Sequence, residues 1–363
     1  MLDTALKFIS AIENNGFKAY IVGGFVRDYV LGIESNDIDI CTNAKPSDIR
    51  NIFKDSCLPS EDYGSVTVYS KNIRFEVTTF RKEIKYINNR KPVEFVYIDD
   101  LLEDLKRRDF TINTLCMDKD KNIIDLLDGK KDITKMEINT VGDSISKFTE
   151  DSLRILRAVR FATILDFKLS DDVKKAIMST KHLLKNLSYE RKKEELDKIF
   201  GSIHVRYGVK LLIELGLDKE LELNNLKEIK SFEELTAIWA LLDVDSIYPF
   251  TKNEKELMKS IKEVIKLDNL DKLVLYKYGL YVNSVVGAMK GLDKKQIAYI
   301  YENLPIKARS ELNINGKDIA NILNKEPGSY IKEILADIEE CVVLGNLDND
   351  KDKLTNYILN KYK

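Results

Sequence analysis

The sequence predicts an α+β protein: a head with a mixed sheet, followed by an elongated all-α neck, body and tail. Runs rich in β-branched and aromatic residues fall only within about the first 140 residues. Helical periodicity takes over from about residue 145, and no fixed-period repeat or low-complexity linker interrupts it. At 363 residues the chain is too long for one ordinary core.

Residues 2–14 place Leu2, Leu6, Ile9 and Ile12 at helical spacing with charged residues between them, an amphipathic helix rather than a signal peptide. AYIV (19–22) reads as a strand that runs through Gly23-Gly24 into a helix over 24–31. DIDIC (37–41) is a second strand, and Pro46 and Ser47 open a helix over 46–54. SVTVYS (65–70) and IRFEVTTF (73–80) form a hairpin across Lys71-Asn72, and TLCMDKDKNIIDLL holds a further β pair. DSLRILRAVRFATIL and each later segment up to 351–362 are helical. The expected division is a head at 1–141, a neck at 142–202, a body at 203–305 and a tail at 306–363.

Composition excludes several function classes. Lys plus Arg is 58 against Asp plus Glu 60, so a polyanion site must be a local concentration of basic residues. The cysteines Cys41, Cys57, Cys116 and Cys341 are scattered, which argues against zinc or a disulfide framework and for a reducing, cytoplasmic setting. His182 and His204 stand far from each other and from the acidic pair below, so Ser-His-Asp catalysis is not expected. The longest apolar stretch, 235–244, is too short to span a bilayer.

The chemistry gathers around SNDIDIC (35–41). In a strand Asp37 and Asp39 point to one face, roughly 7 Å apart, and repel unless a cation sits between them. Just upstream, IVGGFVRD carries a strand into a glycine turn and a helix N-terminus, with Arg27 one turn in, able to fork onto a phosphate. Taken alone, the turn is equally a tight strand-to-helix connection with a surface Arg–Asp pair, and a lone D-x-D is more often a solvated strand edge. Together they suit a hard divalent cation, which takes one or two carboxylates plus substrate phosphate oxygens. Two Mg²⁺ ions roughly 3.5–4 Å apart can activate an attacking hydroxyl and stabilise a leaving pyrophosphate.

The combination resembles the polymerase-β-like nucleotidyltransferases. More closely, the chain is similar to the family of class II tRNA nucleotidyltransferases (CCA-adding enzymes) and bacterial poly(A) polymerases. The resemblance covers roughly residues 19–200 and rests on five blocks in order: GGFVRD with DID, RRDFTIN, DLLDGKKD, EDSLRILRAVRF and LSYERKKEELDKIF. It implies transfer of C, C and A from CTP and ATP to the 3′ end of tRNA, with no nucleic-acid template. Asp37 and Asp39 are then catalytic and hold the metal, and Gly24, Arg27 and Arg108 bind triphosphate. Asp109 accepts from sugar hydroxyls. Asp151 and Arg154, read as i, i+3 neighbours on one helix, accept the amine and donate to the ring nitrogen that cytosine and adenine share. Arg157 and Arg160 hold triphosphate or orient that pair.

Glu76 is a lesser acidic candidate, as much a cross-strand partner for a basic residue as a metal neighbour. Asp125, Gly129 and Asp132 are expected to support a turn. Residues 78–96 resemble the flexible loop that the family places between the first two blocks and that is tied to the switch from C to A, and Arg90-Lys91-Pro92 departs by one lysine from its usual Arg-Arg-Pro. Ser188 reads as an N-cap, and RNA contacts are expected from the helical body and the basic C-terminus. The competing readings are an A-adding or CC-adding enzyme, a poly(A) polymerase, a small-molecule nucleotidyltransferase, and an RNA-binding protein on an inactive scaffold. The poly(A) relatives tend to carry a larger basic insertion after the acidic strand, and Cys41 here runs directly through TNA towards Pro46.

Overall fold

A computed structural model describes the chain except residues 36, 55, 57–63, 71–72, 88–90 and 230–233, and the side chains of 85–87 and 91–93 are also outside the description. The Lys71-Asn72 turn, Cys57 and the side chains of the Arg90-Lys91-Pro92 stretch therefore lie outside the described residues. The chain parts into two compact units, 1–227 and 228–363.

The first unit opens with α1 (Leu2–Glu13), β1 (Ala19–Val22), α2 (Gly24–Leu31), β2 (Ile38–Thr42) and α3 (Pro46–Ile52). There follow β3 (Ser65–Ser70), β4 (Ile73–Thr79), β5 (Arg81–Ile87), β6 (Lys91–Tyr97), α4 (Leu101–Lys106), β7 (Cys116–Met117) and β8 (Ile123–Ile124). Six strands form one sheet in the order β3-β4-β2-β1-β7-β8, parallel only between β2 and β4. The period-2 pattern of these strands gives the sheet two apolar faces. Phe8 of α1 stacks on Phe53 and on Phe75 of β4, with centroids 4.2 and 4.6 Å apart. A second cluster holds Val22, Cys41, Phe80, Leu105 and Cys116.

The stretch read as a loop is in part a hairpin. β5 and β6 pair antiparallel in a sheet of their own, with register shifts near Glu83 and Lys85. Its alternating Lys, Glu, Arg and aromatic residues bury too little apolar surface to look like a strand in sequence.

After β8 come α5 (Gly129–Lys135), β9 (Glu137–Ile138), α6 (Ser144–Glu150) and α7 (Leu153–Leu165). Then follow β10 (Lys168–Leu169), α8 (Asp171–Thr180), α9 (Tyr189–Phe200), α10 (Val205–Glu214) and α11 (Leu217–Glu220). β9 pairs parallel with β10 and so ties the segment before α6 to the end of α7. EDSLRILRAVRF is not one helix. Asp151 ends α6 with extended φ/ψ of −142° and 106°, and α7 restarts at Leu153, so Asp151 and Arg154 are not i, i+3 neighbours of one helix. Ser188 precedes α9 at the N-cap position but makes no side-chain cap bond.

The second unit is helical throughout its described residues: α12 (Leu235–Leu242), α13 (Lys252–Ile265), α14 (Lys272–Met289), α15 (Lys294–Glu302), α16 (Gly316–Leu323), α17 (Tyr330–Leu344) and α18 (Lys351–Tyr362). Its core gathers Leu275, Ile297, Ile319, Ile338, Val342 and Leu354. α14 breaks at Gly279 (φ 75°), and the buried Asn283 amide donates to the freed carbonyls of Val274 and Gly279.

DLLDGKKD is a structural joint. The Asp125 carboxylate accepts from the Gly129 and Lys130 N–H groups, and Asp132 accepts from the Thr111 hydroxyl at 2.5 Å and from the Asn139 amide. A Cβ on Gly129 would stand 2.5 Å from the Thr111 carbonyl oxygen. Gly129→Ala is therefore expected to lose about 2 kcal/mol by overpacking, read as a lower urea midpoint. An unchanged midpoint would mean that α5 does not clamp the 111–113 turn.

Candidate active site

The ten residues given catalytic or nucleotide-binding roles in sequence all line one cavity of about 590 Å³ in the first unit. It opens beside the glycine turn. Gly23 adopts φ +83°, a conformation glycine takes without strain, and its N–H donates to the Leu115 carbonyl. A Cβ there would lie 3.7 Å from Asp39 Oδ2 and 3.9 Å from Arg108 Nη1, so turn, acid and guanidinium converge. From α2, Arg27 forks onto Asp28 Oδ1 (2.8 and 2.7 Å) and donates Nη1 to Asn113 Oδ1 at 2.8 Å.

The two aspartates are not both in the strand. Asp37 is exposed just before β2, and Asp39 is half-buried within it, level with Glu76 of β4 in the parallel register. Asp37, Asp39, Glu76 and Arg108 line one adjoining recess. Burial, then the charges of Asp37 and Glu76, push the Asp39 carboxyl up to about 6, while Arg108 and Arg157 pull the other way. Among the described residues no set of three or more His, Cys, Asp or Glu is arranged to hold a metal. Two carboxylates on one recess fit a hard divalent cation that completes its shell with substrate oxygens.

The second block supplies a buried carboxylate. Asp109 Oδ2 takes Arg157 Nε at 2.7 Å and Nη2 at 2.5 Å, while Oδ1 accepts from the Phe110 N–H and the Asn113 amide. Burial would raise this carboxyl, but Arg157 and these hydrogen bonds overcome it and hold it at about 2. Asn113 thus joins Arg27 to Asp109. Arg108 reaches only to 3.4 Å from Asp104 and keeps a buried Nε without a hydrogen-bond partner among the described residues.

The break between α6 and α7 sets the rest. Asp151 Oδ1 accepts from the Leu153 N–H, and Oδ2 lies 3.4 Å from Arg191 Nη2 of α9. Arg154 is buried and turned to Glu150 Oε2 (2.5 Å) and to the carbonyls of Lys147 and Arg107. Arg160 pairs with Glu195 at 2.6 Å. Arg27, Arg157 and Arg160 stand over the Phe161 ring at 5.3, 5.3 and 4.2 Å from its centre.

Arg107, Asn113, Phe161, Arg191 and Glu83 also face the cavity; Arg107 reads in sequence, with Arg108, as a triphosphate contact, and no site role was read for the other four. Arg107, Asn113, Phe161 and Arg191 were inside the quoted blocks, so block membership was the signal for them. Glu83, on the hairpin read as a loop, had none.

The sequence matches three family models: the poly A polymerase head domain over 19–139, a probable RNA and SrmB-binding site of polymerase A over 166–225, and a putative tRNA nucleotidyltransferase domain 2 over 248–358. The CCA-adding enzyme of Lactococcus lactis subsp. cremoris is 36% identical, covering 94% of this chain and 92% of its own length. That of Ligilactobacillus salivarius is 35% identical, covering 96% and 94%. A crystal structure of the Bacillus stearothermophilus CCA-adding enzyme in complex with CTP superposes with a TM-score of 0.89 at 30% identity, over 98% of this chain and 96% of that one. The Thermotoga maritima CCA-adding enzyme complexed with tRNA shares the fold, with a TM-score of 0.66 at 19% identity, over 100% and 95%. The chain belongs to the CCA-adding enzyme family of tRNA nucleotidyltransferases.

Proposed function

We infer that the protein is a CCA-adding tRNA nucleotidyltransferase, which transfers C, C and A from CTP and ATP to the 3′ end of tRNA. The observation that carries this reading is the convergence, in one cavity, of the paired aspartates with seven arginines. Relatives bearing that name align over nearly the whole chain, and the B. stearothermophilus enzyme is described with CTP.

The 3′-hydroxyl attacks the α-phosphate in line, the bond to the bridging oxygen breaks, and pyrophosphate leaves. Enzymes of this family use a divalent metal. Asp37 and Asp39 are the residues that would hold it here, as two Mg²⁺ ions, which when bound lower the hydroxyl's pKa and offset charge on the pyrophosphate. Gly24 gives the triphosphate close backbone approach, and Arg27 and Arg108 donate to its oxygens. Asp109 faces the sugar while anchored by Arg157. Asp151 accepts the exocyclic amine of the base, and Arg154 donates to the ring nitrogen after exchanging its Glu150 contact. Uracil and guanine present a carbonyl to Asp151, which costs about 1–3 kcal/mol or more. Arg157 and Arg160, each paired with a carboxylate, orient that template.

We assign catalysis to a head at 1–141, base recognition to a neck at 142–202, and tRNA binding to a body at 203–305 and a tail at 306–363. No helix of the described chain is long and apolar enough to cross a membrane, and we place the enzyme in the cytoplasm.

The test is incorporation on tRNA transcripts ending before CCA, after C and after CC, with each nucleotide and Mg²⁺. CCA and no more is the expected product. Long A tails, single-nucleotide products on one transcript only, or no incorporation would each overturn the reading. Asp37→Ala and Asp39→Ala are expected to lower incorporation at least about a thousandfold, measured as single-turnover rates with melting temperature as the folding check.

Asp109→Asn addresses the anchor. The folded carboxyl titrates at about 2 against an ordinary 3.8. Its stabilisation is therefore present above about pH 4 and lost as pH falls towards 2. The variant is expected to lose about 2 kcal/mol at pH 7, with the gap to wild type closing in that acid window. Parallel urea curves check both.

A further inference from the structure

Arg191 stands in the first turn of α9, where a cation opposes the helix dipole. Its guanidinium nevertheless reaches the cavity wall beside Asp151, with Nη2 3.4 Å from Asp151 Oδ2. Nη1 is buried and has no hydrogen-bond partner among the described residues. Asp151 has no helical register of its own, because it sits at the break between α6 and α7. Two contacts fix its carboxylate: the Leu153 N–H on one oxygen and Arg191 on the other. Arg154, the arginine nearest in sequence, is spent on Glu150 and two carbonyls.

We propose that Arg191 is the positioning residue of base selection: from α9 it holds the Asp151 carboxylate ionised and aimed, so that Asp151 accepts an amine and cannot donate to a carbonyl. This rests on the reading of Asp151 as the base-selecting group. Arg191 from α9 and Arg154 and Arg157 from α7 face that carboxylate, and burial works against all three. Without Arg191 the carboxyl takes up a proton at higher pH. A protonated Asp151 donates to O4 of uracil or O6 of guanine, and the exclusion of those bases fails.

The experiment compares wild type, Arg191→Gln, Arg191→Lys and Asp151→Ala on tRNA transcripts lacking CCA. It measures kcat/KM for CTP and UTP at pH 6 and pH 8, and for ATP and GTP on the CC-ending transcript. Arg191→Gln is expected to raise the UTP/CTP ratio about tenfold, more at pH 6 than at pH 8, and Arg191→Lys to restore the wild-type ratio. A uniform fall in kcat with unchanged ratios overturns the proposal, because a purely structural role moves all four nucleotides together. If Arg191→Gln fails to fold, Arg191→Lys still decides. Retained exclusion of UTP at both pH values supports the charge role, and lost exclusion overturns it. Asp151→Ala separates the two layers. If it leaves the ratios intact, the reading of Asp151 itself fails; if it relaxes them while Arg191→Gln does not, only the role of Arg191 fails.

Discussion

The site depends on one hydrogen-bonded chain that starts at Arg27, passes through Asn113 and Asp109, and ends at Arg157. It joins three of the five sequence blocks and crosses from the sheet-bearing part of the first unit to its helices. Arg27, Asn113 and Asp109 are buried or nearly so and Arg157 is half-buried, and a buried polar group left without a partner costs more than its hydrogen bond returns when made. Removing any link would therefore expose its neighbours to that cost. At the far end Phe161 lies under three guanidiniums, an arrangement that repels itself unless each cation has its own anion. Each does: Asp28 for Arg27, Asp109 for Arg157 and Glu195 for Arg160.

That pairing leaves little net charge for a substrate. Seven arginines and six acidic residues line the cavity among the described residues, so it is close to neutral. A nucleoside triphosphate brings several negative charges into it. Arg108 and Arg191 alone among these arginines combine a long, 3.4 Å carboxylate contact with an unpartnered buried nitrogen, and so have donor capacity to give. On the proposed reading the remainder comes from cations on the Asp37–Asp39 side, where burial, then the charges of Asp37 and Glu76, raise the Asp39 carboxyl against the opposing pull of Arg108 and Arg157. On that reading, metal and triphosphate are coupled by electrostatics: each offsets the other's charge.

The sequence was informative wherever local rules decide. Strands β1 to β4 followed from β-branched runs, and the glycine turn from the two glycines between a strand and a helix. The ten residues came together because five short blocks, far apart in sequence, were read as one signal. It was uninformative where tertiary contact decides. Nothing local marks the helix break at Asp151, since Asp-Ser-Leu-Arg fits a continuous helix and only burial of Arg154 against Lys147 and Arg107 makes the break pay off. The β5–β6 hairpin was hidden by its charge. Arg191 looked like part of a solvated amphipathic face, because periodicity cannot tell a side chain aimed at water from one aimed at a cavity.

The lengths of the ion pairs then order the site by function. Charge-assisted N–H···O contacts are short, about 2.7–2.9 Å, when nothing competes for them. Arg27 and Arg157 keep such contacts, and with the close Arg160–Glu195 ion pair they form the frame around Phe161. The Asp151–Arg191 contact, at 3.4 Å, is loose and lies on the cavity wall, where the proposed reading has the base enter. A template that accepts both cytosine and adenine has to place one amine acceptor against rings of two sizes. A carboxylate in the middle of a helix would be fixed to one position by the helix itself. One at a helix break, steered by a guanidinium from a second helix, can meet either ring edge while the frame behind it stays unchanged. On the proposed reading, selection of two bases by one acid is a property of the Asp151–Arg191 pair against a rigid background, and not of either residue alone.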